Sequence, residues 1–284
     1  MKKHVKVSLL SFLILIFVAT VGCGNVKKGA KEVKSTEKIS NIDLSKYFTG
    51  YEGSFVLFDK NKSEYTIYNQ AKSQKQVSPC STFKIINSLI GLEAKVLKDE
   101  NTTFKWDGTK YEIEAWNKDQ TLKSAISNSV VWYFKEVASQ VREKKMQDYI
   151  NKYNYGNKDI SGGLTKFWVS SSLKISPKEQ VDMLRKFYDY KLPASKGNID
   201  IVKNIITLSN ENGIKLSGKT GSGGGGSIVN GKYTYGWFVG YVEKNNNVYF
   251  FATNIGVKDT IEKDAGGKSA KEITLKILKY KKIY

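Results

Sequence analysis

The 284-residue chain carries 46 Lys and Arg against 27 Asp and Glu, a formal net charge of +19, and is 40% hydrophobic. That composition supports one sizeable core or two closely packed lobes, and the basic surface suits anionic surroundings such as membranes and polyanionic wall polymers. No zinc-finger cysteine pattern, basic helix with heptads or RNP-like strand accompanies the charge, and the lysines are spread along the whole chain, so nucleic acid is not an expected partner.

Residues 1–6 are basic, and residues 7–21 are almost wholly apolar. The run is short for a membrane span and right for the apolar core of a secretory signal. A small residue, Gly22, directly precedes Cys23, a pattern that resembles a lipoprotein signal; Thr20 stands where such signals usually carry leucine. The expectation is a signal peptide over residues 1–22, lipid on Cys23, a flexible Lys/Glu/Gly/Ser-rich tether over 23–44, and a folded domain over 45–284. The protein is then exported and held through its lipid at the outer face of the bacterial cytoplasmic membrane. A lipidated Cys23 leaves Cys80 as the one other thiol, so no intrachain disulfide forms. Cys80 itself reads as a small buried side chain. The single histidine, His4, departs with the leader. That removes Ser-His-Asp chemistry and histidine metal sites, so no metal is expected and a serine nucleophile must use another base.

Residues 53–59 and 64–69, aromatic and β-branched around a polar Lys60-Asn61-Lys62-Ser63 connection, predict a β-hairpin. Ser81-Thr82-Phe83-Lys84 then opens an apolar helix running to about Glu93. Serine and lysine three apart share one helix face, about 5–6 Å from each other. The free N–H groups of a helix start favour negative charge beside them. One turn could therefore hold a nucleophile, a base and part of an oxyanion site. The spacing alone decides nothing, because Ser35-Thr36-Glu37-Lys38 repeats it in the polar tail.

Residues 104–119 read as turn-rich connectors anchored by Trp106 and Trp116. Residues 121–137 read as a helical region broken near Ser127-Asn128-Ser129, and 144–153 as a short amphipathic helix. Ser176, Pro177 and Glu179 form a capping-box start for a helix to about Tyr190. Residues 214–221 are strand-like and end at a glycine cluster; 233–243 and 248–254 are aromatic strands about the 244–247 turn, and 268–279 is a closing helix. Strands, many helices, strands, helix: the fold class is α+β, with an antiparallel sheet built from both chain ends, flanking helices and an inserted helical lobe. A site belongs in the cleft between them.

Ser81-x-x-Lys84, Ser129-Val130-Val131 and Lys219-Thr220-Gly221, in that order, mark the penicillin-recognising serine enzymes. With Tyr155-Gly156-Asn157, Phe167-Trp168-Val169, the strand from Trp237 to Glu243 and the Trp106 to Asp119 region, residues 45–284 resemble a class D (oxacillinase-type) β-lactamase. The sensor domains of methicillin/penicillin receptor proteins are similar over the same length.

The resemblance implies hydrolysis of β-lactam antibiotics through an acyl-enzyme on Ser81. It implies no cofactor beyond carbon dioxide or bicarbonate, which N-carboxylates Lys84 to make the general base. Ser129 would relay a proton to the lactam nitrogen, and Lys219 and Thr220 would meet the substrate carboxylate. The backbone N–H groups of Ser81 and Ser222 would form the oxyanion hole. Val131, Trp168 and Leu173 would wall the carbamate, with the Trp168 indole N–H bonding it. Tyr155-Gly156-Asn157 would shape the site without doing chemistry. Many class D enzymes carry an arginine near the start of the last helix; residues 264–273 contain none, and Lys268 is the expected substitute. Residues 222–227 lack bulky side chains, which predicts an open cleft rim. The alternatives are a β-lactam sensor with slow deacylation and a D,D-peptidase acting on peptidoglycan stems. One apolar segment and a short tether leave no expected place for a signalling membrane domain.

Overall fold

The computed structural model describes residues 37–223, 232–257 and 263–284. The expected signal peptide, the lipidation site Cys23 and the glycine loop at 224–227 lie outside the described residues.

Strands β1 (Lys38–Asn41), β2 (Tyr51–Asp59) and β3 (Glu64–Tyr68) come first. A helical stretch follows: α1 (Gln70–Gln74), α2 (Lys84–Glu93), α3 (Leu122–Ser127), α4 (Val131–Val141), α5 (Glu143–Tyr153), α6 (Pro177–Tyr188) and α7 (Lys196–Ile205). The small strands β4 (Thr103–Phe104) and β5 (Gln120–Thr121) pair with each other inside it. The chain closes with β6 (Thr207–Glu211), β7 (Ile214–Gly223), β8 (Tyr235–Lys244), β9 (Asn247–Val257) and α8 (Gly267–Tyr280). The seven-stranded sheet runs β1-β3-β2-β9-β8-β7-β6. The two chain ends meet where β2 pairs antiparallel with β9, from Tyr51 opposite Val257 to Asp59 opposite Tyr249.

Both sheet faces are covered, which explains the unbroken apolar run in β2. Val56 and Phe58 face the helical lobe with Val239, Tyr241, Phe250 and Ala252. Phe55 and Leu57 alternate to the other face and meet Phe238, Phe251 and the α8 residues Ala270, Ile273 and Ile277. An α+β fold with its sheet drawn from both termini is what the element order predicts.

Several features depart from the sequence reading. Residues 38–41, expected in the tether, form β1 and pair parallel with β3; the alternating Lys38-Ile39-Ser40-Asn41 suits an edge strand and carries too little apolar surface to signal one. Elements α1, α7 and β6 were not anticipated. Five residues leave no helical period in α1, Gly197 and Asn198 are weak helix formers in α7, and β6 is a largely exposed edge strand. The turn bearing Ser81 is a 3-10 turn, Cys80–Phe83, and regular helix begins at Lys84. The capping box at Ser176 is present, with both reciprocal hydrogen bonds to Glu179 at 3.2 and 2.8 Å.

Candidate active site

The 3-10 turn is fastened from three sides. The Trp237 indole on β8 donates to the Ser78 carbonyl at 2.9 Å. The Ser78 hydroxyl donates to the Trp168 carbonyl at 2.9 Å and accepts from the Ser170 N–H at 3.0 Å. Gln180 on α6 donates to the Thr82 hydroxyl at 2.9 Å, and that hydroxyl donates to the Pro79 carbonyl at 2.7 Å. Strand β7 passes against the same turn. A Cβ on Gly221 would lie 3.0 Å from the Pro79 oxygen and 3.2 Å from the Ser81 nitrogen, an approach that only glycine allows without displacement.

This scaffold gathers four predicted side chains. Lys84 Nζ lies 2.5 Å from Ser81 Oγ and 3.3 Å from Ser129 Oγ. Lys219 Nζ on β7 donates to Ser129 Oγ at 3.0 Å and to the Thr220 carbonyl at 3.1 Å. Ser129 occupies the break between α3 and α4, in the left-handed region at φ 55°. Of the tail pair, Lys38 is on edge strand β1 and Ser35 lies outside the described residues.

Burial sets the electrostatics. Lys84 has no exposed surface. Its ammonium is held well below the ordinary lysine range, first by burial and then by the neighbouring Lys219 charge. Burial also brings Lys219 down to about 7. Both influences on Lys84 favour its neutral amine, the form able to accept a proton from the hydroxyl beside it, while Lys219 titrates near neutrality.

One neighbour of the amine is apolar. The Phe134 ring on α4, absent from the sequence reading, has its centroid 5.6 Å from Lys84 Nζ. Trp168 is fully buried and stacks obliquely on Phe83 at 5.7 Å. Its indole N–H has no hydrogen-bond partner among the described residues. Leu173 is fully buried, with its N–H donating to the Phe167 carbonyl at 2.9 Å. Val131, the first residue of α4, is half-buried. Asn157 staples the neighbouring segment, donating to the Ser172 carbonyl and accepting from the Lys174 N–H, each at 2.9 Å.

Ser222 sits on β7 with its hydroxyl accepting from the Gly267 N–H at 2.8 Å, which anchors the start of α8 on the strand. Thr220 points toward that helix start: a Cβ on Gly267 would lie 2.8 Å from Thr220 Cβ. Lys268 is exposed on the first turn of α8, and among the described residues it makes no hydrogen bond to the cluster. The α8 cation that lines a cavity of about 170 Å³ with Ser127, Lys219 and Thr220 is Lys271. The two lysines stand three positions apart on the helix, and which of them turns toward the sheet depends on the seating of α8, which spacing alone does not fix.

A model of the penicillin binding protein transpeptidase domain matches residues 53–279. The chain is 42% identical over 250 residues to the regulatory protein BlaR1 of Bacillus licheniformis, covering 86% of this chain and 40% of that protein. It thus spans about two-fifths of the length of that relative. It is 35% identical over 270 residues to the probable beta-lactamase YbxI of Bacillus subtilis, covering 94% of this chain and 95% of the relative. Among solved structures, the class D beta-lactamase BAT-2 superposes with a TM-score of 0.78 at 39% identity, covering 86% of this chain and 97% of that one.

Proposed function

The chain belongs to the penicillin-binding transpeptidase-domain family, in the branch of class D β-lactamases and BlaR-type penicillin receptors, and from that premise we propose that it hydrolyses β-lactam antibiotics through an acyl-enzyme on Ser81. A domain of this kind supports hydrolysis or sensing of β-lactams. The observation that carries the hydrolytic reading is the fully buried Lys84 amine 2.5 Å from Ser81 Oγ.

Ser81 Oγ attacks the lactam carbonyl and its proton passes to the Lys84 side. The oxyanion is received by the backbone N–H groups of Ser81 and Ser222. As the C–N bond breaks, Ser129 gives its proton to the departing nitrogen and is resupplied from Lys84 or Lys219, both within 3.3 Å of its oxygen. Lys219, with Thr220 and an α8 lysine, meets the substrate carboxylate.

The surroundings of Lys84 fit a carboxylated amine. A neutral amine is the form that combines with carbon dioxide, the Trp168 indole N–H is buried without an acceptor among the described residues, and the Phe134 ring beside the amine offers no competing charge. Carboxylation would supply a base able to activate the water that releases the acyl group. Residues 1–23 support export and a lipid anchor on Cys23 at the outer face of the membrane.

Sensing is the second reading, favoured by the 42% identity to BlaR1; it differs in a long-lived acyl group. Mass spectrometry after exposure to a penicillin tests the shared chemistry. The acyl mass is expected on the peptide containing Ser81, absent in Ser81→Ala, and formed about 100-fold or more slowly in Lys84→Ala. An adduct elsewhere, or full-rate acylation of Lys84→Ala, contradicts the assignment.

A further inference from the structure

Trp116 lies beside the α3–α4 break that carries Ser129 and has no part in the steps above. It belongs to a loop built to hold one shape. Asn117 exchanges two hydrogen bonds with the Tyr111 main chain, at 2.8 and 2.9 Å. Asp119 accepts from the Trp106 N–H at 3.0 Å and from Lys105 at 2.7 Å. The Tyr111 ring packs edge-on against Trp116, centroids 5.6 Å apart.

Two indole N–H groups join this loop to either side of the α3–α4 break. Trp116 Nε1 donates to the Asn128 carbonyl at 3.0 Å. Trp132 Nε1, on α4, donates to the Trp116 carbonyl at 3.0 Å. Asn128 and Trp132 bracket Ser129, which holds a left-handed conformation that is unfavourable for a non-glycine residue. The Asn128 carbonyl shares a peptide plane with the Ser129 nitrogen. Asn128 and Ser127 are exposed and give that plane little packing support. The hydrogen bond from Trp116 is thus a fixed handle on the orientation of Ser129.

We propose that Trp116 is a positioning residue for Ser129: its indole N–H, itself anchored by Trp132, holds the Asn128–Ser129 peptide so that the Ser129 hydroxyl stays between Lys84 and Lys219. The proposal rests on the reading that Ser129 protonates the departing lactam nitrogen. A residue that acts through Ser129 matters in proportion to the leaving group's need for a proton. A residue that merely anchors the loop affects all acyl donors alike.

Trp116→Phe keeps the ring and removes the N–H. Acylation of Ser81 is followed by rapid mixing with a penicillin, whose nitrogen must be protonated, and with an aryl ester of an acylated amino acid, whose phenolate leaves without a proton. The expected result is a loss of about tenfold with the penicillin, the scale of one hydrogen bond, a loss of less than about twofold with the ester, and an unchanged melting temperature. Trp132→Phe should give the same selective pattern at smaller size, and it decides the matter if Trp116→Phe does not fold. Equal losses with both donors, or no loss with the penicillin, overturn the proposal. A wild-type chain that accepts the ester but never the penicillin overturns the β-lactam reading and this inference with it; a wild type that accepts both, with unselective variants, overturns this inference alone.

Discussion

Two lysines share one serine oxygen, Lys84 at 3.3 Å and Lys219 at 3.0 Å, in a site where both are buried. Two full charges placed around one oxygen in a site of reduced polarity repel by kilocalories, and burial with the Lys219 charge pushes the Lys84 ammonium well below the ordinary lysine range. Lys219, brought to about 7, remains partly protonated at neutral pH. Since the cation is the form that attracts a substrate carboxylate, KM for an anionic β-lactam should rise as pH climbs through about 7; a flat KM from pH 6 to 9 contradicts this. Stability follows from the same shift. An unfolded lysine titrates near ~10.4, so between about 7 and ~10.4 the unfolded chain binds more protons, and the native state gains stability as pH rises. Replacing Lys219 with Met should therefore stabilise the protein by a few kcal/mol at pH 6, the gain fading toward pH 10, as read by urea denaturation. A pH-independent gain would mean that the buried charge is not its source. Serine, lysine and glycine at motif spacing made Ser81, Lys84, Ser129 and Lys219 legible in the sequence. Phe134 and the hydrogen bond from Trp116 were not, because a phenylalanine under an amine or an indole N–H on a distant carbonyl is defined by the tertiary contact alone.

Elements do the positioning. Strand β7 brings Lys219 up through the sheet and lays Gly221 against the turn that carries Ser81, while α6 holds that turn through Gln180 and Thr82. Gly221→Val would drive branched carbon into the Pro79 oxygen and the Ser81 nitrogen. It is expected to cost roughly 1–3 kcal/mol of stability and to slow acylation more than binding, measured as the acylation rate constant against the apparent affinity. Unchanged acylation would show that the strand and the turn are less tightly coupled than their separation implies. The strongly patterned elements were legible for physical reasons: a capping box, an aromatic hairpin, and a helical period interrupted at Ser127-Asn128-Ser129. The polar edge strand β6 and the glycine-bearing α7 draw their stability from neighbours rather than from their own residues, so their pattern was faint. The same holds for β1, which takes its place from pairing with β3.

At the scale of the molecule, the sheet is completed only when β2 meets β9, so the two ends of the domain must be present together for the cleft to form. The helical lobe between them supplies Ser81, Lys84 and Ser129, and the C-terminal strands supply Lys219 and Ser222. The chemistry proposed for Ser81 thus depends on long-range closure of the chain, and α8 covers the opposite sheet face with Ala270, Ile273 and Ile277. Hydrolase and sensor share this architecture and differ in how quickly the acyl group leaves Ser81. Turnover of a chromogenic β-lactam by the intact protein, with and without added bicarbonate, reads that difference directly. Sustained multiple turnover, faster with bicarbonate and absent in Ser81→Ala, is the expected result. A single stoichiometric burst followed by silence, with the acyl group still on Ser81, would contradict it.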